Sequence, residues 1–361
     1  MVGTRTAADR VKVRSTVAPS PESRLPCPRA NYTFRLTRGR SLPYTPLRMA
    51  DLDEASTGKP ATSLRRLRWI AEIAAVRTVV GSVRLLPPRL RLFVGHGLGR
   101  FAWAVDARHR RVARQNLAAA FPDRSVAWRR QVERDCYRYL GRLLVDVATQ
   151  CHDVAALAAS TEIEGWEHAE AAARLGRGFF LVSGHFGLWE RAPLLQAARG
   201  LPVLMVARPL DNPYLESWLA GLRRCTGNTL VYKRQAARAM VRGLARGACV
   251  GYMVDQNFPL PGAAFPTFFG RPAAAAPTLG QLAVRYRAPV VPAFAFPRAD
   301  GSCLVRYSPP IVPRGDGEDE GRAILQQVTS QLEAAIREVP HAWFWVHRRW
   351  RTRPPDESPT A

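Results

Sequence analysis

The chain has 361 residues, 47% of them hydrophobic, so it is long enough for one large or two ordinary domains with a sizeable core. The formal net charge of +24 comes almost entirely from arginine and implies an anionic partner, such as phospholipid headgroups, an acidic carrier or nucleic acid. The six cysteines are scattered, with no metal-ligand spacing and no sign of a disulfide framework, which favours a reducing compartment.

The first part of the chain, residues 1–60, is rich in arginine, proline, serine and threonine and has little hydrophobic periodicity. This composition predicts a disordered leader. The segment lacks the unbroken apolar core of a secretory signal peptide. Met49 is an alternative start of translation.

Residues 61–160 carry helical hydrophobic patterns, which two prolines interrupt within 85–89. The apolar stretch 67–80 contains three charged residues, and no uncharged run of about eighteen residues supports a transmembrane helix. Arginines flank the stretch on both sides, as in amphipathic helices that lie on an anionic bilayer. We therefore expect a helical membrane-associating region. The alternative is an amphipathic helix packed on the soluble domain.

From residue 161 onward, short apolar runs alternate with helical patterns. The predicted strands are 179–182, 203–207, 249–254, 290–296 and 303–307, and the predicted helices are 188–198, 213–225, 236–246, 277–286 and 321–337. Strands that alternate with helices indicate βαβ units. Residues 161–355 are thus predicted to form an α/β core with a mainly parallel central sheet and flanking helices.

The main functional signal is the turn that follows the predicted strand 179–182 and contains His185. Side chains in such a strand–turn–helix unit lie at the carboxyl end of a sheet, where open α/β folds hold their active sites. His185 and Glu190 are five positions apart, so the two meet only if His185 lies in the turn and Glu190 at the start of the helix. We predict that His185 is a general base for an attacking hydroxyl and that Glu190 fixes the imidazole tautomer. A helix-capping histidine with a solvated Glu190 is the structural alternative.

Polar residues also follow the other predicted strands. Arg208 comes directly after 203–207, where a guanidinium is suited to grip a phosphate or carboxylate. Asn212 is suited to cap the next helix. Asp255 follows 249–254 and is expected to pair with Arg208 or to orient a substrate hydroxyl. No cluster of metal ligands accompanies it, so no metal site is expected.

Two aromatic segments carry further predictions. The segment HAWFWVHRRWR (341–351) combines tryptophan with arginine, which suits a lipid headgroup interface, a phosphate-bearing partner or single-stranded nucleic acid. The segment FPTFFG (265–270) predicts an apolar rim for a hydrocarbon substrate, or a loop packed on the core.

Together these motifs resemble the late, or secondary, acyltransferases of lipid A biosynthesis, the lauroyl/myristoyl transferase family of Gram-negative inner membranes. The resemblance extends from about residue 67 to about residue 355. The motifs that carry it, in order, are RQNLAAAFP (114–122), HFGLWE (185–190), RPLDNP (208–213), DQ (255–256), FFG (268–270) and WFWVHRR (343–349).

The resemblance implies an O-acyltransferase that moves a fatty acyl chain from an acyl-carrier-protein or coenzyme A thioester to a hydroxyl of a lipid A precursor or related glycolipid. It implies no cofactor beyond these co-substrates, and it assigns His185 and Glu190 to catalysis. The residues that it assigns to substrate binding are Arg208, Asn212, Arg223 and Asp255. The implied partners are acyl carrier protein, a glycolipid acceptor and the anionic cytoplasmic face of the inner membrane.

Three alternatives remain at this stage. A related branch acylates phosphatidylinositol mannosides, and the same base acting on water would make a thioesterase-like hydrolase. The net charge and the Arg/Trp segment also suit a nucleic-acid-binding protein. However, arginine is spread along the chain and no recognised nucleic-acid motif is present, so we expect no nucleic-acid partner.

Overall fold

The computed structural model describes residues 62–149, 153–232 and 235–355. The predicted leader, including Met49, lies outside the described residues. Within them, several helices precede the first strand. They are α1 (Ser63–Arg84), α2 (Pro88–Val105), α3 (Ala107–Ala120), α4 (Val126–Thr149) and α5 (Val154–Ala159).

Local chemistry explains where the first helices begin and end. Thr62 caps α1 by accepting a hydrogen bond from the backbone N–H of Arg65. Pro88 begins α2, since proline is well suited to the first turn of a helix. Asp106 caps α3 by accepting a hydrogen bond from the backbone N–H of His109 at 3.1 Å.

Helices α2 and α4 approach each other closely through glycine. A Cβ atom on Gly99 would lie 2.1 Å from the carbonyl oxygen of Tyr137, and one on Gly141 would lie 2.1 Å from that of Gly95. Because no side chain fits at these distances, the two backbones pack directly against each other.

The described residues from 161 onward form an α/β core around a seven-stranded sheet. Its strands are β1 (Thr161–Glu164), β2 (Phe179–Ser183), β3 (Val203–Ala207), β4 (Thr229–Tyr232), β5 (Cys249–Met253), β8 (Val290–Pro297) and β9 (Cys303–Tyr307). Their order across the sheet is β1-β9-β8-β2-β5-β3-β4. A separate ribbon pairs β6 (Thr267–Phe268) with β7 (Arg271–Pro272). The flanking helices are α6 (Trp166–Arg174), α7 (Arg191–Ala198), α8 (Pro213–Arg224), α9 (Ala236–Ala245), α10 (Thr278–Tyr286) and α11 (Gly317–Glu338).

The centre of the sheet determines where the polar residues after the strands come together. β2 pairs in parallel with both β5 and β8, while β8 and β9 are antiparallel. A strand covered on both faces needs apolar side chains throughout, which explains the unbroken apolar run of β2. Ser183 at the end of β2 lies opposite Met253 at the end of β5. The residues that follow both strands therefore lie at one edge of the sheet.

The predicted fold class, α/β with a mainly parallel sheet and flanking helices, is confirmed. The bounds predicted for β3 and β9 match the structure. Sequence reasoning missed β1 and β4, which are four-residue strands at the two edges of the sheet. Both are only partly buried, so neither has the continuous apolar run that marks a central strand.

Helices α1 and α2 expose several large apolar side chains. The exposed fraction is 64% for Leu67, 74% for Phe93 and 68% for Phe101. None of the helices in the described residues combines the length and the apolar character that a membrane crossing requires.

Candidate active site

His185 lies in the turn after β2, and neighbouring elements hold this turn in place. Gly187 has a φ of +59°, and a Cβ atom there would lie 1.6 Å from the carbonyl oxygen of Ala295 on β8. The turn can therefore reach β8 only with glycine at this position. The hydroxyl of Tyr139 on α4 donates a hydrogen bond to the carbonyl oxygen of Gly187. The backbone N–H of Phe344 donates one to the carbonyl oxygen of His185 at 3.0 Å.

The imidazole of His185 is paired with Asp255. Nδ1 of His185 lies 2.8 Å from Oδ1 of Asp255, and the backbone N–H of His185 donates to Oδ2 at 2.8 Å. Trp343 donates its indole N–H to the same Oδ2 at 2.8 Å. Because an ionised carboxylate only accepts hydrogen bonds, Nδ1 carries the proton and Nε2 of the neutral ring keeps its lone pair. Asp255 is 1% exposed, whereas the side chain of His185 is 26% exposed and remains accessible.

The environment shifts the pKa of both groups. Burial acts to lower the pKa of His185, but the charge of Asp255 and its hydrogen bond raise that pKa above its ordinary value, with a smaller contribution from Glu190. Burial acts to raise the pKa of Asp255, but the charge and hydrogen bond of His185 hold it well below its ordinary value. The pair is thus an ionised carboxylate next to an imidazole of increased basicity, as a general base requires.

Glu190 is paired with Arg223 on α8. Nη2 of Arg223 lies 2.5 Å from Oε1 of Glu190, and Nε lies 3.1 Å from Oε2, which makes the contact bidentate. The two side chains are only 10% and 19% exposed. This corrects the expected partner of the imidazole. The five-residue spacing brings Glu190 close to His185, but Arg223 takes its carboxylate and Asp255 takes Nδ1.

An apolar cavity of about 1190 Å³ lies next to these pairs, between α1–α4 and the residues around the site. Trp189, Glu190, Arg223 and Phe344 are part of its wall. The ring of His185 contacts two of these residues, with centroid distances of 5.3 Å to Trp189 and 6.1 Å to Phe344. His185 thus lies behind two aromatic residues of the cavity wall, and a large apolar cavity with Arg223 in its wall suits a hydrocarbon ligand that carries a polar group.

Comparison with known proteins places this chain in a family. The family model of bacterial lipid A biosynthesis acyltransferases matches residues 59–352. The chain belongs to this family. It is similar to the lipid A biosynthesis lauroyltransferase of Escherichia coli K12, with 28% identity over 275 residues, covering 72% of this chain and 85% of the relative.

Two further Escherichia coli K12 relatives are similar over comparable lengths. The lipid A biosynthesis palmitoleoyltransferase is 27% identical over 291 residues, covering 76% of this chain and 89% of the relative. The lipid A biosynthesis myristoyltransferase is 24% identical over 299 residues, covering 82% of this chain and 91% of the relative. The family resemblance predicted from the motifs is confirmed, and the chain is an acyltransferase whose family implies a glycolipid acceptor.

Two of the predicted substrate-binding residues, Arg208 and Asn212, are not among the described hydrogen-bond partners of His185. Arg208 is exposed after the carboxyl end of β3 and is not part of the described cavity wall. Asn212 is buried, and its Oδ1 caps α8 by accepting a hydrogen bond from the backbone N–H of Tyr214 at 3.0 Å. Its Nδ2 donates to the carbonyl oxygen of Trp69 at 3.0 Å and to Oε2 of Glu72 at 2.9 Å, which ties α8 to α1. Substrate binding by Arg208 and Asn212 stays a prediction.

Sequence reasoning missed the contribution of Trp343 to the candidate site. Trp343 and Trp345 are fully buried rather than exposed at a headgroup interface, and Trp343 holds the carboxylate of Asp255. The two tryptophans are spaced two residues apart, and this spacing was the available signal for an extended segment with one buried face. Because buried rings cannot stack on bases, these tryptophans do not support the single-stranded nucleic-acid alternative.

The phenylalanine-rich segment 265–270 is also packed on the core of the acyltransferase. Phe268 is 1% exposed and Phe269 is 5% exposed, in agreement with the packed-loop alternative rather than an apolar rim. Among the described residues, no group of three or more His, Cys, Asp or Glu side chains is arranged to hold a metal ion.

Proposed function

We propose that this acyltransferase moves a fatty acyl chain from a thioester on acyl carrier protein, or on coenzyme A, to a hydroxyl of a lipid A precursor. The observation that carries the proposal is the pair of His185 and Asp255 beside a large apolar cavity, in a chain of an acyltransferase family. The two co-substrates supply all the atoms of the reaction, and the step requires no further cofactor.

In this mechanism His185 is the general base. Its Nε2 takes the proton of the acceptor hydroxyl as the oxygen attacks the thioester carbonyl. Asp255 holds the ring and stabilises the imidazolium that forms. Collapse of the tetrahedral intermediate forms the ester and breaks the C–S bond, and the imidazolium returns the proton to the leaving thiolate. A thioester is reactive enough for one base and good positioning to suffice.

Arg223 supports the proposed step from the cavity wall. Two of its five N–H donors are taken by Glu190, and in this proposal the others, which have no partner among the described residues, donate to the developing oxyanion. Glu190 then acts through Arg223 as a positioning residue, since its carboxylate holds the guanidinium in one orientation. This assignment retains both predicted residues, Glu190 and Arg223, in the site but changes their roles.

The apolar cavity is the proposed site of the acyl chain. Its wall includes Val76 and Val83 of α1 and Leu140 and Val147 of α4. Burial of hydrocarbon in such a cavity is favoured by about 0.8 kcal/mol per methylene group. The donor with the longest chain that fits should therefore bind most tightly.

The exposed apolar residues of α1 and α2 support binding to a membrane surface, which we propose is the cytoplasmic face of the inner membrane. Helices that combine apolar side chains with arginine bind anionic bilayers at the headgroup level. Helix α1 also contributes to the cavity wall, so docking of this helix would bring the cavity next to the lipid surface.

The test is an in vitro transfer assay with purified protein, a defined acyl-carrier-protein thioester and a lipid A precursor, read by mass spectrometry. We expect the acceptor mass to increase by one acyl group, and we expect the His185→Ala variant to lose this product while it remains folded. Release of free fatty acid without acceptor acylation would instead identify a hydrolase. A parallel reaction with a phosphatidylinositol mannoside tests the alternative acceptor.

A further inference from the structure

A second cavity, of about 680 Å³, lies between α3, the β6–β7 ribbon and the C-terminal segment. We call it the arginine cleft. Five arginines line it, namely Arg108, Arg111, Arg271, Arg348 and Arg351.

The arginine cleft contains no acidic side chain among the described residues that line it. In the described part of the chain, none of its five arginines forms an ion pair. Arg114, on the same helix as Arg108 and Arg111, differs in this respect because its Nε donates to the buried carboxylate of Glu133 at 2.6 Å. Arg114 is therefore balanced by a carboxylate, whereas the five arginines of the cleft are not.

The fold brings these like charges together from three separate parts of the chain. Arg108 and Arg111 are three residues apart on α3 and share one face of the helix. Arg271 comes from the ribbon, and Arg348 and Arg351 come from the C-terminal segment. Like charges repel, so this convergence does not stabilise the fold by itself. It becomes favourable when an anion occupies the cleft.

The chemistry of the cleft selects a phosphate ester. A guanidinium offers a planar set of N–H donors that matches the oxygens of phosphate. Several guanidinium groups around one cleft can bind a phosphate from different sides. The cleft is larger than a single phosphate, and Gln115 adds an amide to its wall. A sugar that carries a phosphate is therefore a better match than an isolated ion.

The arginine cleft adjoins the apolar cavity of the active site. Arg108, Val112 and Arg348 line both. Arg348 also directly follows His347, whose Nε2 lies 3.1 Å from the backbone carbonyl oxygen of Asp255. A ligand anchored in the cleft is thus held next to the cavity at which His185 acts.

We propose that the arginine cleft binds a phosphate ester of the glycolipid acceptor and thereby positions the acceptor hydroxyl for His185. This inference rests on the proposed function and specifies how the acceptor is recognised. Two other molecules could bring a phosphate to the cleft, namely the phosphopantetheine of the donor and the headgroups of membrane phospholipids. The experiment below separates both from the acceptor.

The test uses the double variant Arg111→Gln/Arg351→Gln, because these two arginines line the cleft and not the apolar cavity. The matched control is Arg177→Gln/Arg246→Gln, which removes two exposed arginines that precede β2 and β5, at the opposite edge of the sheet. Each protein is assayed with a phosphorylated glycolipid acceptor and with the same acceptor after removal of its phosphate.

We expect the cleft variant to raise KM for the phosphorylated acceptor by about tenfold or more, since each charge-assisted hydrogen bond contributes about that factor. The KM for the donor should not change, and KM for the dephosphorylated acceptor should be the same in variant, control and wild type, because neither substrate presents the phosphate that the cleft binds. An unchanged KM for the phosphorylated acceptor would overturn the proposal. An increase in the donor KM would assign the cleft to phosphopantetheine, and selective loss of binding to phosphatidylglycerol vesicles would assign it to the membrane surface.

Direct binding separates this inference from the proposed function. Binding of the two acceptors is measured in detergent micelles without any acyl donor. If the wild type transfers no acyl chain but prefers the phosphorylated acceptor, and the cleft variant loses that preference, the mechanism fails and the cleft assignment stands. If transfer occurs without any preference for the phosphate, the cleft assignment fails alone.

Discussion

Nδ1 of His185 lies 2.8 Å from Oδ1 of Asp255, although the two residues are 70 positions apart in the chain. The distance is short because β2 and β5 are parallel neighbours that end side by side, with Ser183 opposite Met253. Glu190 is much closer to His185 in sequence, but its carboxylate holds Arg223. The pairing of strands, rather than the local turn, thus selects the acid that faces the imidazole.

The Asp255→Asn variant should lose most of the transfer activity. An asparagine amide can donate a hydrogen bond to Nδ1, which moves the ring proton to Nε2 and removes the base. We expect kcat to fall by roughly 10²–10⁴-fold, the range typical of a general base. In the double variant His185→Ala/Asp255→Asn, the fold-decreases in kcat of the single variants should not multiply, because the two residues act as one unit. Near wild-type turnover by a folded Asp255→Asn enzyme would contradict this assignment.

Activity should increase with pH through the titration of His185. In the proposed mechanism His185 acts in its neutral form, and Asp255 raises the pKa of His185 above its ordinary value of 6.5. The acid limb of the kcat/KM profile should therefore have its midpoint above 6.5, with activity lost as the pH decreases through it. A profile measured with saturating donor checks this. A midpoint below 6.5 would show that burial, rather than the charge of Asp255, dominates the pKa of His185.

The Glu190→Gln variant should separate the two acidic residues of the site. It removes the ion pair that orients Arg223, so kcat should decrease. The acid limb of the kcat/KM profile should move to lower pH in both variants. The shift should be smaller in Glu190→Gln than in Asp255→Asn, because Asp255 has the larger effect on the pKa of His185. Equal displacements in both variants would instead support the predicted role of Glu190 as the direct partner of the ring.

Gly187→Ala should destabilise the turn that holds His185. The added Cβ atom would lie 1.6 Å from the carbonyl oxygen of Ala295, in a backbone conformation with a φ of +59°. We expect a loss of more than about 2 kcal/mol in the free energy of unfolding.

Gly176→Ala is the matched control, because Gly176 also has a positive φ of +68° but no atom within 4 Å of the added Cβ. Its loss should be only about 1–2 kcal/mol, the strain of the left-handed conformation alone. Denaturant unfolding of both variants measures the difference, and equal losses would contradict the steric account.

Membrane binding should depend on the exposed face of α2. The double variant Phe93→Ser/Phe101→Ser removes two rings that are 74% and 68% exposed, so the fold should not change. We expect binding to anionic vesicles to weaken by at least about tenfold, given the apolar surface lost. Val126→Ser, at an exposed position on α4, is the control and should sediment with vesicles like the wild type. Unchanged binding of the double variant would place the membrane contact elsewhere.

The amino-acid sequence by itself determined the α/β class, the central strands and the position of His185 after β2. Apolar runs, turn residues and helix caps act over a few neighbouring residues, so these features can be predicted locally. The short edge strands β1 and β4 escaped prediction because they are only partly buried and carry no such run.

Only the tertiary structure decided which side chains form the site. Glu190 and Asp255 were both acids near a strand end, and their spacing in the chain did not show which one faces Nδ1. The parallel pairing of β2 with β5 brought Asp255 to the imidazole, and Trp343 came to the same carboxylate from a segment 88 residues further along the chain. Such long-range contacts depend on how the whole core packs, which no local pattern encodes.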